Sequence, residues 1–227
     1  MAEAKHNTSK KHFQLDRISF FTDGVFAIAI TLLVIEFKVP VIAHPEDKLL
    51  WEKLHEMGWQ FLGFIISFCI VGYYWSVHHR VFGYIEHYTS DLIWLNLFFL
   101  FSVVLLPFSS GLLGEYASES DMLLPYAFYV INICLTAIMN ALLWVYVNNP
   151  TRSLLTHVIS KERVQLGLFF TMVLPTIFIL SLIISFAYPM LGRLIPLTIP
   201  FVLRYGLTGL VKRAERMEHK RKIEDVD

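Results

Sequence analysis

His78 and His79 stand side by side with Arg80 behind them, at the end of an apolar stretch. Histidine titrates near neutral pH, so either residue offers pH sensing or gating. An adjacent pair also suggests a metal, but neighbours on a helix point apart and no third ligand stands at a suitable spacing. A second set opens the first apolar run with Arg17, Phe21, Thr22, Asp23 and Gly24, and a third opens another with Asp91, Trp94 and Asn96. Ionisable groups inside apolar segments are costly, so each needs a partner or lines a pathway. Cys69 and Cys134 read as small core residues, with neither metal spacing nor a disulfide framework. A membrane enzyme built on His78 and His79 would need a nucleophile–base set, a metal set or a glycine-rich phosphate loop, and none is evident.

The elements that must position these residues are helices in a membrane. The chain has 227 residues, 56% of them hydrophobic and 17% charged, with a mean hydropathy of +0.55. Soluble domains carry roughly 25% charged residues. The net charge is zero, so no overall field favours nucleic acid. A crossing helix needs about 20 mostly apolar residues, and six segments qualify: 18–37, 57–77, 92–114, 122–147, 164–188 and 191–211. Pro196, Pro200 and Arg204 interrupt the sixth, and Arg204 can snorkel outward. The first run lacks the cleavage pattern of a secretory signal. The expectation is an all-α polytopic protein, with an N-terminus at 1–17, one six-helix domain at 18–211 and a basic tail at 212–227.

Basic residues set the orientation. With the N-terminus in the cytoplasm, the inner segments carry fourteen Lys and Arg and the outer segments four. Both termini are therefore expected inside, in a multi-pass protein of the cell membrane. The tail 212–222 is either a solvated helical extension or a contact for anionic lipid.

This topology brings three helix ends to one depth in the inner leaflet. Asp23 lies about 9 Å deeper than Arg17 by helical rise. Their separation of six residues puts them on different faces, so each needs a partner from another helix. A hydrogen-bonded cluster of Arg17, Thr22, Asp23, Trp75, His78, His79, Asp91 and Asn96 is expected. Such a cluster either locks the helices in one packing or, through a histidine, gates.

Beyond Gly24, Ile28, Thr31, Leu32 and Ile35 form one helical stripe, while Ala27, Ile30 and Val34 fall on the other side. Periodicity alone leaves open whether Ile28 packs or gates, and whether Thr31 simply bonds back to its own helix.

The segment Arg17 to Glu36 resembles the signature of the bacterial branch of the transmembrane protein 175 family of potassium channels. That signature is Arg, three residues, then Phe-Ser-Asp, and here Thr22 replaces the serine. The likeness continues through Tyr74-Trp75-Ser-Val-His78-His79-Arg80, Asn96-Leu, Leu106-Pro107-Phe108 and Leu113-Gly114-Glu115-Tyr116. It implies a homotetramer in which four first helices line a central pore that passes monovalent cations. No cofactor is implied beyond the permeant potassium ion. By the same resemblance Ile28 forms the hydrophobic constriction, Leu32 and Ile35 extend the apolar lining, and Thr31 contributes selectivity. Arg17, Phe21 and Asp23 brace the pore helix. Val71-Gly72-Tyr73-Tyr74 lies inside a span and is no carbonyl filter, so selectivity for potassium over sodium should be modest. The rival reading is a proton-coupled secondary transporter. It should show interrupted helices in matching positions of two halves, whereas the prolines crowd the second half.

Overall fold

The computed structural model describes residues 2–42, 46–116, 119, 122–156 and 159–202. Its long elements are α1 (Ala2–Ile35), α3 (Gly58–Phe82), α4 (Ser90–Glu115), α5 (Leu124–Val147) and α6 (Lys161–Ser185). Among the described residues, five helices are long and apolar enough to cross a membrane, in α1 from Gln14 onward. Between α1 and α3 lies a short helix, α2 (Asp47–Glu56), with no buried residue. The first five expected spans thus sit within a few residues of their helices, because length and hydropathy constrain a crossing segment directly.

Where the sixth span was expected, the path is broken: α7 (Pro189–Leu194), a 3-10 turn (Ile195–Thr198) and α8 (Ile199–Phe201). Pro196 has no N–H for the carbonyl of Gly192 four residues back. Ser181 of α6 fills that place, donating from Oγ to the Gly192 oxygen at 2.6 Å. Gly192 is needed at this point, because a Cβ there would stand 2.7 Å from the Ser181 backbone oxygen. Arg204, the rest of the sixth span and the tail 212–227 lie outside the described residues.

Packing divides around α4. On one side α1 and α3 pack on α4 and on each other; on the other α5 packs on α4, α6 on α5 and α7 on α6. Phe26, Ala29 and Leu33 of α1 are buried against the core that Phe99 and Val103 of α4 share. Two caps fix the helices that start at one end of the bundle: Leu92 N donates to Thr89 Oγ1, and Arg163 N to Ser160 Oγ. At this end, the Thr89 face, the α3–α4 loop pairs with the α5–α6 loop. An antiparallel bridge joins Ile85 and Leu155, Glu86 N donates to Leu154 O (2.8 Å), and Thr156 N to Tyr84 O (3.1 Å). At the opposite end, the Trp59 face, Lys38 Nζ meets Glu115 Oε1 at 2.9 Å, and that carboxylate raises the ammonium pKa.

Candidate functional site: a braced helix with an open face

The polar residues at the Thr89 end of α1, α3 and α4 form two linked contacts. Asn96 of α4 stands at the centre of the first: Nδ2 donates to Thr22 Oγ1 at 2.9 Å, and Oδ1 lies 2.8 Å from His78 Nε2. With the amide in that orientation Oδ1 is the acceptor, so the proton of His78 sits on Nε2. All three residues are at most 2% exposed. The His78 ring is clasped between Phe82, with centroids 4.1 Å apart, and Phe99, nearly parallel at 5.4 Å. One buried chain therefore ties α1, α4 and α3 together.

The second contact lies beside it. Trp75 Nε1 donates to Asp23 Oδ1 at 2.9 Å, and the indole stacks on His79. His78 is buried and His79 exposed, so the adjacent histidines face different surroundings. Arg17 lies six residues before Asp23 at an exposed position, with interactions of its own.

One expected member of the cluster, Asp91, is placed differently, and Phe21, expected by resemblance as a brace, lies outside it. Asp91 is held by α5: Tyr146 Oη, 2.8 Å from Thr89 Oγ1, approaches Asp91 Oδ2 at 3.4 Å, and Arg152 covers the Tyr146 ring. Asp91 is the second residue of α4, and α5 reaches that end beside it. Phe21 is 56% exposed, so within one chain it does not brace α1. It lies one position before Thr22, turned by about 100° from the buried face.

The remainder of α1 is asymmetric. Thr22, Phe26, Ala29 and Leu33 are buried, whereas Phe21, Gly24, Ala27, Ile28, Thr31, Val34 and Ile35 are exposed. Ile28, Thr31 and Ile35 thus share the open face. Leu32, expected beside them, is half-buried; Ala27 and Val34, expected on the other side, belong to the open face. Thr31 lies near the middle of this stripe and donates its hydroxyl to the carbonyls of Ala27 (3.0 Å) and Ile28 (2.9 Å). With its proton spent on the helix, its oxygen offers lone pairs outward. A groove of about 330 Å³ runs between α1 and α3 alongside, lined by Ala27, Ile30 and Gly72 and ending at Asp23 and Trp75.

A second set of polar groups was not singled out in the sequence. Along α5, Tyr126, Tyr129, Asn132, Thr136 and Asn140 repeat at three- and four-residue spacing and are all buried. Tyr129 Oη lies 2.9 Å from Ser67 Oγ, Asn132 donates to Ser109 Oγ (2.9 Å), Asn140 to Thr171 Oγ1 (3.2 Å), and Tyr126 bonds Ser181. The spacing was the available signal, since polar residues at i, i+3 and i+7 on an apolar helix mark a contact face.

Among the described residues, five helices long and apolar enough to cross a membrane, one of them braced on one side and open on the other, make this a multi-pass membrane protein. The family profile described as "Endosomal/lysosomal potassium channel TMEM175" matches residues 17–107, so that segment of the chain is similar to a family of ion channels. Its relatives include a protein named potassium channel from Streptomyces collinus, 39% identical over 45% of this chain and 49% of its own length. Another, from a Chryseobacterium, is 34% identical over 56% of this chain and 62% of its own length. The matched segment thus spans about half the length of such relatives. An avian relative, named endosomal/lysosomal proton channel TMEM175, is 32% identical over 46% of this chain and 22% of its own length. The fold is similar to the crystal structure of a lysosomal potassium-selective channel TMEM175 homologue from Chamaesiphon minutus. The TM-score is 0.68 at 28% identity, over 84% of this chain and 97% of that one.

Proposed function

We propose that this protein is a potassium-permeable cation channel, a homotetramer whose four α1 helices line one central pore. The observation that carries the reading is the two-sidedness of α1. Its buried face is fixed by Asn96 and Asp23, while Ile28, Thr31 and Ile35 stand open in the single chain. Apolar side chains have lipid as an ordinary alternative; Thr31, with its proton returned to its own helix, would turn its oxygen toward water or a cation in such a pore. Four Ile28 side chains would make a dry collar that gates by dewetting, and four Thr31 oxygens would replace part of an ion's hydration. Ile35 extends the apolar lining, with half-buried Leu32 behind it. Thr22, Asp23, Trp75, His78 and Asn96 act as braces; Phe21 and His79 complete the motif beside them, and Arg17 completes it about 9 Å nearer the start of α1. No carbonyl filter enters this scheme, so potassium is preferred over sodium only modestly. Six spans place both termini in the cytoplasm of a cell-membrane protein, and the Thr89 face is then the cytoplasmic one.

The test is flux. Purified protein in liposomes should carry potassium down its gradient faster than sodium, with a particle mass of about four chains in detergent. Tight liposomes at every protein density, or a monomeric particle, would overturn the central-pore reading.

A further inference from the structure

A furrow runs along the flank of the bundle away from α1. Two recesses share Leu62, Ile66 and Pro196 and so form one channel-like depression between α3 and the α7–α8 segment. It begins at Trp59 and Arg193, at the Trp59 face, and ends at Tyr73. By helical rise that is about 21 Å along α3. The deeper part alone measures about 270 Å³ and its remaining wall includes Leu174, Leu197 and Ile199.

The furrow has a cause in the sequence. Pro196 and Pro200 break the last path into a 3-10 turn and a short helix, and that path packs on α6 through Gly192. Among the described residues it does not pack closely on α3, whose close neighbours are α1, α2 and α4. From Trp59 to Tyr73 the furrow follows a helix long and apolar enough to cross a membrane, which puts it at the depth of the lipid tails. A narrow apolar slot that starts at the interface and runs with the helix axis fits an extended hydrocarbon chain. At its mouth stand an indole, favoured at the level of lipid headgroups, and the cationic Arg193. Arg193 is anchored there through Nη2 to the backbone carbonyls of Glu119 and Met122.

We propose that this furrow is a binding site for one phospholipid acyl chain from the leaflet opposite the N-terminus of α1, with the phosphate head at Trp59 and Arg193. The site is separate from the open face of α1 and does not depend on the conduction reading.

The probe is 1-palmitoyl-2-oleoyl-phosphatidylglycerol, added to delipidated full-length protein in detergent and counted per chain by native mass spectrometry. Wild type should retain one lipid per chain after bulk lipid is stripped. Ile66→Trp and Leu197→Trp, which fill the slot from opposite walls, should each lose it. Ile131→Trp, an equal bulk on an exposed position of α5, should keep it. Elution in gel filtration should match wild type for all three. Retained lipid in both plugged variants, or none in wild type, would overturn the site. So would a change of oligomeric state in the plugged variants with lipid unaffected, which would make the furrow a contact between copies of the chain. Equal retention of the matching diacylglycerol would remove the headgroup half of the proposal.

Discussion

The two polar seams of this protein are built differently. The seam at the Thr89 end contains Asp23 and His78, is short, and joins three helices through one residue, Asn96. The seam on α5 has only hydroxyls and amides in its bonds, and from Tyr126 to Asn140 it covers about 21 Å of the helix. The first depends on a single amide whose two ends are both used. The second spreads its bonds among separate pairs, and one acceptor, Asn132 Oδ1, is buried with no partner. The concentrated seam holds α1, the helix with the Ile28–Thr31–Ile35 face; the distributed one ties α5 to α3, α4 and α6. Where one helix must be kept in a fixed rotation, the polar contacts are few and interdependent. Elsewhere they are redundant.

That comparison can be broken by substitution. Asn96→Leu should have the largest effect, since it leaves His78 and Thr22 without their shared partner in a dry site. A loss of about 1–3 kcal/mol is expected for a stranded buried group. Thermal unfolding in detergent, followed by tryptophan fluorescence, measures it, and an unchanged midpoint would remove Asn96 from the centre of the brace. Asp23→Ala should cost less, about 1 kcal/mol, because Trp75 is 43% exposed and its indole N–H can find water. Asn140→Leu gives up one interhelical bond to Thr171, a change of about 0.6 kcal/mol by the average for membrane proteins. Asn132→Leu removes a bond but also a stranded carbonyl, so its midpoint should stay within about 0.5 kcal/mol of wild type. A large loss at Asn132 with none at Asn96 would invert the contrast between the seams. The least costly changes lie on the open face. Ile28→Ala and Thr31→Val should leave stability within about 0.5 kcal/mol while altering currents. Ile28→Ala should raise leak for both potassium and sodium, and Thr31→Val should lower the preference for potassium. Bi-ionic reversal potentials check both, with the half-buried Ile30→Ala as the comparison; equal behaviour at positions 28 and 30 would mean that another face of α1 borders the pore.

Much of this arrangement could be read from residue order. Crossing segments announce themselves by length, and alternating direction brings Thr22, Trp75, His78 and Asn96 to one depth. Two kinds of information were missing. Periodicity gives the spacing of a stripe but not its rotation, because side chains at 28, 32 and 35 are equally compatible with a face centred a quarter-turn away. Burial of Phe26, Ala29 and Leu33 supplied that rotation and moved Leu32 inward. Neutral polar residues were the other omission. Asn132 and Thr136 barely change the hydropathy of α5, so their alignment is visible only when spacing is examined apart from polarity. Asp91 shows a third limit: depth placed it with the first cluster, but lateral position gave it to Tyr146.

The bridge between Ile85 and Leu155 carries a consequence for biogenesis. Its two halves are seventy residues apart, which the ribosome covers in about 4–14 s at 5–20 residues per second. Until Leu154 emerges, Ile85 has no pairing partner, and the α3–α4 hairpin must hold by its own packing and by the Asn96 brace. The nascent chain therefore passes through a four-helix stage whose loop at the Thr89 face is unlatched, and translation of the α5–α6 turn closes it.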